Sequence, residues 1–306
     1  MKRRLATAAI LACLSLAMTA CAGGLTSLDP KRNPMGKSGG LVVGTANFSE
    51  NVILGHLYAG ALRAKGITAT VKQNLGSREI IVPALKQGDI DVLPEYQGSL
   101  LQFLDKNARQ SAAEDVQQAL ERTVPQGVKV LPYAAAENKD VYVVTRETAD
   151  RYGLKTLEDL RTHAKDLIFG GPAEDKTRYV GLVGLKELYG AEFKDFKALD
   201  TGGPLTRGAL RGGDIQVANL FSTDVTITNN NWVILDDPKK LVPAQHIVPL
   251  VNEAKASTTV TEALAALNTK LTTEELSKLD AKVDNDKEDP DRVAKAWLEQ
   301  HGLGSQ

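Results

Sequence analysis

The stretch Asp89-Ile90-Asp91-Val92-Leu93-Pro94-Glu95-Tyr96-Gln97-Gly98-Ser99 sets a carboxylate, a phenol, an amide and a hydroxyl directly after an apolar run that breaks at proline. Such side chains can grip and orient a small polar or cationic solute, because a ring face attracts a cation and a carboxylate adds charge. Aromatic residues make up only 5% of the chain, so a tyrosine among polar groups stands out. Catalytic patterns are thin by comparison. His-Glu-x-x-His does not occur, and His56, His163, His246 and His301 fall in unrelated contexts. Gly36-Lys37-Ser38 ends like a phosphate-binding loop, yet Lys31 stands where that loop needs glycine. Asp284-Asn285-Asp286-Lys287-Glu288-Asp289 opens like a calcium loop, lacks the glycine required at its sixth position, and reads as a solvated charged turn. No cofactor or metal is expected.

Elements must hold the polar groups in place, and the hydrophobic pattern supplies them. Leu41–Thr45 reads as a strand, Ser49 caps a helix through about Lys65, and residues 68–74 form a strand. Residues 77–88 form a helix ending at Gly88, and Asp89–Pro94 a strand that stops at the proline. Repeated β-α-β units imply a parallel sheet covered by helices, whose ligands bind beyond the carboxyl ends of the strands. A helix near 111–123 and strands at 128–133 and 140–144 follow. A second α/β series then runs to about residue 245, and three C-terminal helices at 258–268, 272–283 and 290–301 complete the chain. With 306 residues, 42% of them hydrophobic, there is material for two lobes. The expected division is residues 41–144 for the first lobe, 145–245 for the second, and 246–306 as a return to the first.

Lys2, Arg3 and Arg4 followed by an apolar run to Met18 read as an export signal over residues 1–20. Met18-Thr19-Ala20-Cys21 resembles a bacterial lipobox, which would lipidate Cys21 and anchor the chain to the outer face of the cytoplasmic membrane. Residues 21–40, rich in Gly, Ser and Pro, read as a flexible tether. Removing residues 1–20 takes three basic and no acidic residues from a chain with 37 basic and 38 acidic ones, leaving a net charge of −4. That balance argues against nucleic-acid binding. It also removes Cys13, so no disulfide is available and an ordinary core must hold the fold.

The segments GTANFSENVILGHLYAGALRAKG, NLGSREIIVPALKQGDIDVLPEYQGSLL, TRYVGLVGLKELYG, NLFSTD and VILDDPKKLVPAQHIVPLV together resemble the substrate-binding proteins of ABC transporters for glycine betaine, choline, carnitine and related osmoprotectants. The chain resembles actinobacterial lipoprotein members in sharing ANLFST and DPKK with them. The resemblance implies an α/β, two-lobed periplasmic-binding-protein-like fold (type II) with its ligand cleft between the lobes. It also implies a monomer that hands a quaternary amine or related zwitterion to a cognate permease driven by a cytosolic ATPase. Such proteins surround the ammonium with aromatic rings and meet a carboxylate with basic groups. By that resemblance Tyr96 and Tyr142 match box tyrosines, with Ser99 and Asp140 beside them. Glu174 and Arg178 match an acidic residue and a carboxylate-binding arginine, Arg207 stands at an aromatic position, and Phe221 replaces part of the box. Ala46 in place of a common lysine, and Gln245 in place of a ring, shift the expected ligand toward more polar or acidic character.

The same residues have plain structural readings. Tyr96 and Phe221 could pack a core, Tyr142 could serve the core or the hinge, Arg207 could be a solvated helix charge, and Glu174 with Arg178 could form an exposed ion pair. The competing functions are a receptor for another zwitterion or a polar aromatic solute, an exported enzyme, and an adhesion module.

Overall fold

The computed structural model describes residues 39–304. The export signal, Cys21 and all but the last two residues of the tether lie outside the described residues. The first series comprises β1 (Leu41–Gly44), α1 (Ser49–Ala64), β2 (Ala69–Lys72), α2 (Arg78–Gln87), β3 (Val92–Tyr96), α3 (Gln97–Leu104), α4 (Ala113–Thr123) and β4 (Val128–Val130). The second comprises β5 (Asp140–Val144), α5 (Arg146–Tyr152), α6 (Leu160–His163), β6 (Ile168–Pro172), α7 (Gly184–Tyr189), β7 (Asp195–Leu199), α8 (Pro204–Gly212), β8 (Val217–Phe221), α9 (Val225–Asn229) and β9 (Val233–Ile234). The chain then returns through β10 (Ile247–Asn252), α10 (Thr258–Asn268), α11 (Thr273–Asp284) and α12 (Pro290–Gln300).

Two five-stranded sheets result, ordered β2-β1-β3-β10-β4 and β7-β6-β8-β5-β9. In each, one strand runs against its neighbours: β10 pairs antiparallel with β3 and β4, and β5 with β8 and β9. Each sheet carries buried apolar clusters on both faces. In the first lobe α1 and the three C-terminal helices cover one face, with Leu54, Leu57, Leu264 and Trp297 in the core. Leu85, Leu100 and Leu120 from α2, α3 and α4 cover the other.

Three sequence expectations shift. β5 pairs with β8 in the second sheet, Asp140 opposite Phe221, so the first crossing between lobes precedes Asp140 instead of following Val144. The strand does not stop at Pro94: β3 runs on to Tyr96, antiparallel to β10 with Pro94 opposite Pro249, so neither proline is asked to donate to the other. Phe48, not Ser49, occupies the cap position of α1, and Ser49 is its first helical residue. The two crossing segments are joined by a single antiparallel bridge, Glu137 to His246, and by the Gln245 amide donating to Glu137 Oε1 at 3.0 Å.

Candidate functional site

The lobes meet across the ends of β1 and β3 on one side and of β6, β7 and β8 on the other. Asn51, in the first turn of α1, ties the first of these ends together: its Oδ1 accepts from the Ala46 amide at 2.6 Å and its Nδ2 donates to the Pro94 carbonyl at 3.0 Å. Asn74 holds a left-handed conformation, φ 55°, and its amide donates to Thr45 Oγ1. Between the lobes lies a cavity of about 50 Å³, bordered by Phe48, Arg78, Glu95 and Tyr96 from the first lobe and by Glu174, Arg178 and Thr201 from the second. It holds little more than a water or two, so a solute enters only when the lobes part.

The buried polar groups around this cavity are linked to one another. Arg78 grips Glu95 through two parallel bonds of 2.8 Å. Tyr96 donates its hydroxyl to Glu50 at 2.6 Å, and burial together with the Glu50 charge pushes the phenol well up, so it stays a donor. Glu50 also accepts from Asn138 Nδ2 at 2.9 Å and, across the lobes, from Thr223 Oγ1 at 2.8 Å. Asp280 lies against Glu50; burial first, then the neighbouring Glu50 charge, raises its carboxyl well above the usual range. Phe48 stands between two rings, 5.9 Å from Tyr96 and 5.3 Å from Phe221. Arg178 reaches across to Glu79 in α2, at 2.9 Å.

Of the residues singled out in the sequence, Tyr96, Glu174 and Arg178 border the small cavity together. Phe221 and Arg207 face a wider cleft of about 380 Å³ beside it, reached past Phe48. Arg207 is no solvated charge: it lies 2.8 Å from Asp224 and 2.6 Å from Asp284, and so the turn opening at Asp284 is not wholly solvated either. Ser99 is held by Gln245, which accepts from its amide and donates to its hydroxyl at 2.7 Å. Asp140 and Tyr142, on one face of β5, border a groove of about 370 Å³ at the crossing segments. Tyr142 is fully buried, donates to the Val180 carbonyl and packs on Phe169. Burial raises the Asp140 carboxyl against the pull of Asn219, Arg178 and Arg78. Sequence reading passed over Phe48, Glu50, Arg78 and Thr201; the first three lie inside motifs it quoted, at a strand end and at two helix starts. Among the described residues no three His, Cys, Asp or Glu are grouped to hold a metal ion.

Two aromatic rings and two arginines, each paired with a glutamate, thus border one small inter-lobe cavity. A family model described as the substrate binding domain of ABC-type glycine betaine transport systems matches residues 39–300. The chain belongs to this family. It is a substrate-binding receptor of the ABC-importer class, and such receptors act outside the cytoplasm. This betaine-family receptor is 25% identical over 268 residues to the ergothioneine transport permease/ergothioneine binding protein of Helicobacter pylori, matching 86% of this chain but spanning only 48% of that protein's length. It is 28% identical over 247 residues to a carnitine transport binding protein of Listeria monocytogenes, with 77% of this chain and 78% of the relative covered. A solved structure described as a glycine betaine/carnitine/choline ABC transporter superposes with a TM-score of 0.67 at 26% identity, over 86% of this chain and 99% of the other.

Proposed function

We propose that the receptor binds a quaternary-ammonium zwitterion between its lobes, of the kind exemplified by glycine betaine and carnitine, and delivers it to a membrane permease powered by a cytosolic ATPase. The observation that carries this reading is the juxtaposition of Phe48 and Tyr96 with Arg78 and Arg178 around one inter-lobe cavity. A trimethylammonium group has no hydrogen to donate and is held by ring faces, about 0.5–2 kcal/mol per ring, while a carboxylate matches the planar fork of arginine. In this reading Tyr96, Glu174 and Arg178 touch the solute. Ser99 acts through Gln245, Asp140 and Tyr142 form the wall near the crossing segments, and Arg207 and Phe221 form the rim. The receptor works as a monomer, exported by residues 1–20 and anchored through lipid on Cys21.

Titration calorimetry of the chain lacking residues 1–21 against glycine betaine, carnitine, proline betaine and choline tests the reading, with unmethylated glycine as control. Micromolar or tighter binding of the zwitterions, with choline weaker because it has no carboxylate for the arginines, is the expected result. Binding of glycine in place of its methylated form would reject it. A second reading, a larger polar or aromatic zwitterion, is favoured by one observation: two rings border the cavity, and Ala46 adds neither charge nor ring to them.

A further inference from the structure

The cleft of about 380 Å³ beside the small cavity is lopsided in charge. Glu50, Asp280 and Asp284 border it from the first lobe and Asp200 and Asp224 from the second, against one base, Arg207. Three of these acids have strong partners. Arg207 holds Asp224 at 2.8 Å and Asp284 at 2.6 Å, and Asp200 accepts the Leu205 and Thr206 amides at 2.9 Å. Glu50 and Asp280 are left against each other. The donors that reach Glu50 are neutral: the Tyr96 hydroxyl, the Asn138 amide and, from the second lobe, the Thr223 hydroxyl. Asp280 is 8% exposed, lies against the same Glu50 and Thr223, and keeps Oδ1 without a hydrogen-bond partner among the described residues. Other charged groups nearby are occupied: Lys287 donates to the Asp284 carbonyl, and His56, further along α1, lies between Asp291 and Gln73. Two carboxyls buried together without a cation cannot both ionise cheaply, so the pair favours carrying one proton.

Thr223 leaves the pair when the lobes part, and water then enters the cleft and weakens the repulsion between the two carboxylates. We propose that lobe closure takes up a proton at the Glu50–Asp280 pair, so that the receptor holds its solute more tightly in acid and releases it more readily as the pH rises. The inference concerns closure and applies whichever solute closes the lobes. The sign follows from linkage: a closed form that binds more protons than the open form is favoured at low pH. Asp280 is raised by burial first and then by Glu50, so the dependence sets in above its ordinary value of 3.8. Between the titrations of the open and closed forms, affinity falls by up to about tenfold per pH unit. Asp140 and Asp175 in the second lobe are also raised by burial, so substitution at Asp280, and not the slope of the parent alone, locates the proton.

Small-angle scattering of the ligand-free receptor and calorimetry with glycine betaine, both from about pH 4 to about pH 9, test it in the parent and in Asp280→Asn. The parent should gain radius of gyration as the pH rises and lose affinity by about tenfold or more across the range. Calorimetry in two buffers of different ionisation enthalpy should show net proton uptake on binding. Asp280→Asn, with no second carboxyl beside Glu50, should lose the expansion and the proton uptake and most of the slope in affinity. Asp280→Ala removes the same carboxyl by a different route and should behave alike, and thermal melts at each pH check that both variants are folded. A parent whose radius and affinity ignore pH would overturn the proposal, as would a slope that survives intact in the two variants. Glycine betaine failing to bind at any pH would reject the betaine reading, while the scattering of the ligand-free chains would still decide whether closure takes up the proton.

Discussion

Tyr96 uses different atoms for two tasks. Its ring stands beside Phe48 at the cavity, while its hydroxyl is one of the donors that hold the buried Glu50 carboxylate. The two tasks separate by substitution. Tyr96→Ala should weaken betaine binding by at least ~1 kcal/mol through the lost ring face. Tyr96→Phe keeps the face and should leave affinity nearly unchanged, yet lower unfolding stability by about 1 kcal/mol because Glu50 loses a donor. Calorimetry paired with urea unfolding reads both; equal affinity losses in the two variants would show that the hydroxyl, not the ring, serves the solute. Tyr96 was legible in the sequence because a tyrosine among polar groups after an apolar run marks a strand end. Arg78 was not, since an arginine in the first turn of a helix looks like a surface charge until the packing of α2 on β3 sets it over Glu95. Tyr142 shows the converse limit. Spacing puts it on the same face of β5 as Asp140, but nothing local to β5 says that this face meets the Val180 carbonyl and Phe169.

At the scale of elements, the α/β alternation and most segment boundaries could be read directly, because buried strands and amphipathic helices differ in period; α10 spans the expected residues 258–268. The partner of each strand could not, and β5 was assigned to the wrong lobe because pairing with β8 is a long-range choice. Two acids on helices that meet the opposite lobe give pH responses of opposite sign. For Glu79 on α2, burial alone would raise the carboxyl, but hydrogen bonds from Arg178 and Ser77 and the Arg178 charge hold it down to about 2. A depressed acid contributes fully above its ordinary value of 4.5, and the contribution disappears as pH falls toward 2. Asp280 on α11 is raised, so its contribution is complete below the ordinary 3.8 and fades as pH climbs through the raised value. Asp280→Asn puts a neutral amide beside Glu50 and should flatten the fall of the melting temperature as pH rises above Asp280's ordinary value, whereas Glu79→Gln should flatten only the limb below pH 4.5. Melting curves across pH for the two variants check the assignment, and a swap of the affected limbs would refute it.

For the whole molecule, closure is a balance between an open form and the form in which both lobes share partners. Thr223 with Glu50, Arg178 with Glu79, and Arg207 with Asp284 all join one lobe to the other. Of these, the Arg207–Asp284 pair lies outside the small cavity, so it can be removed without touching the proposed solute contacts. Asp284→Asn leaves Arg207 its second-lobe partner Asp224 and takes away only the charge from across the cleft. Apparent affinity equals intrinsic affinity scaled by the closed fraction. If the bridge favours closure by about 1.4 kcal/mol, its loss weakens binding of every solute by the same factor, up to about tenfold. Small-angle scattering should then give a larger radius of gyration for the ligand-free variant, with saturating solute restoring that of the parent. A uniform loss of affinity with that expansion places Arg207 in the closing balance. A loss confined to one solute would put it in the binding site instead, because only a direct contact can tell solutes apart.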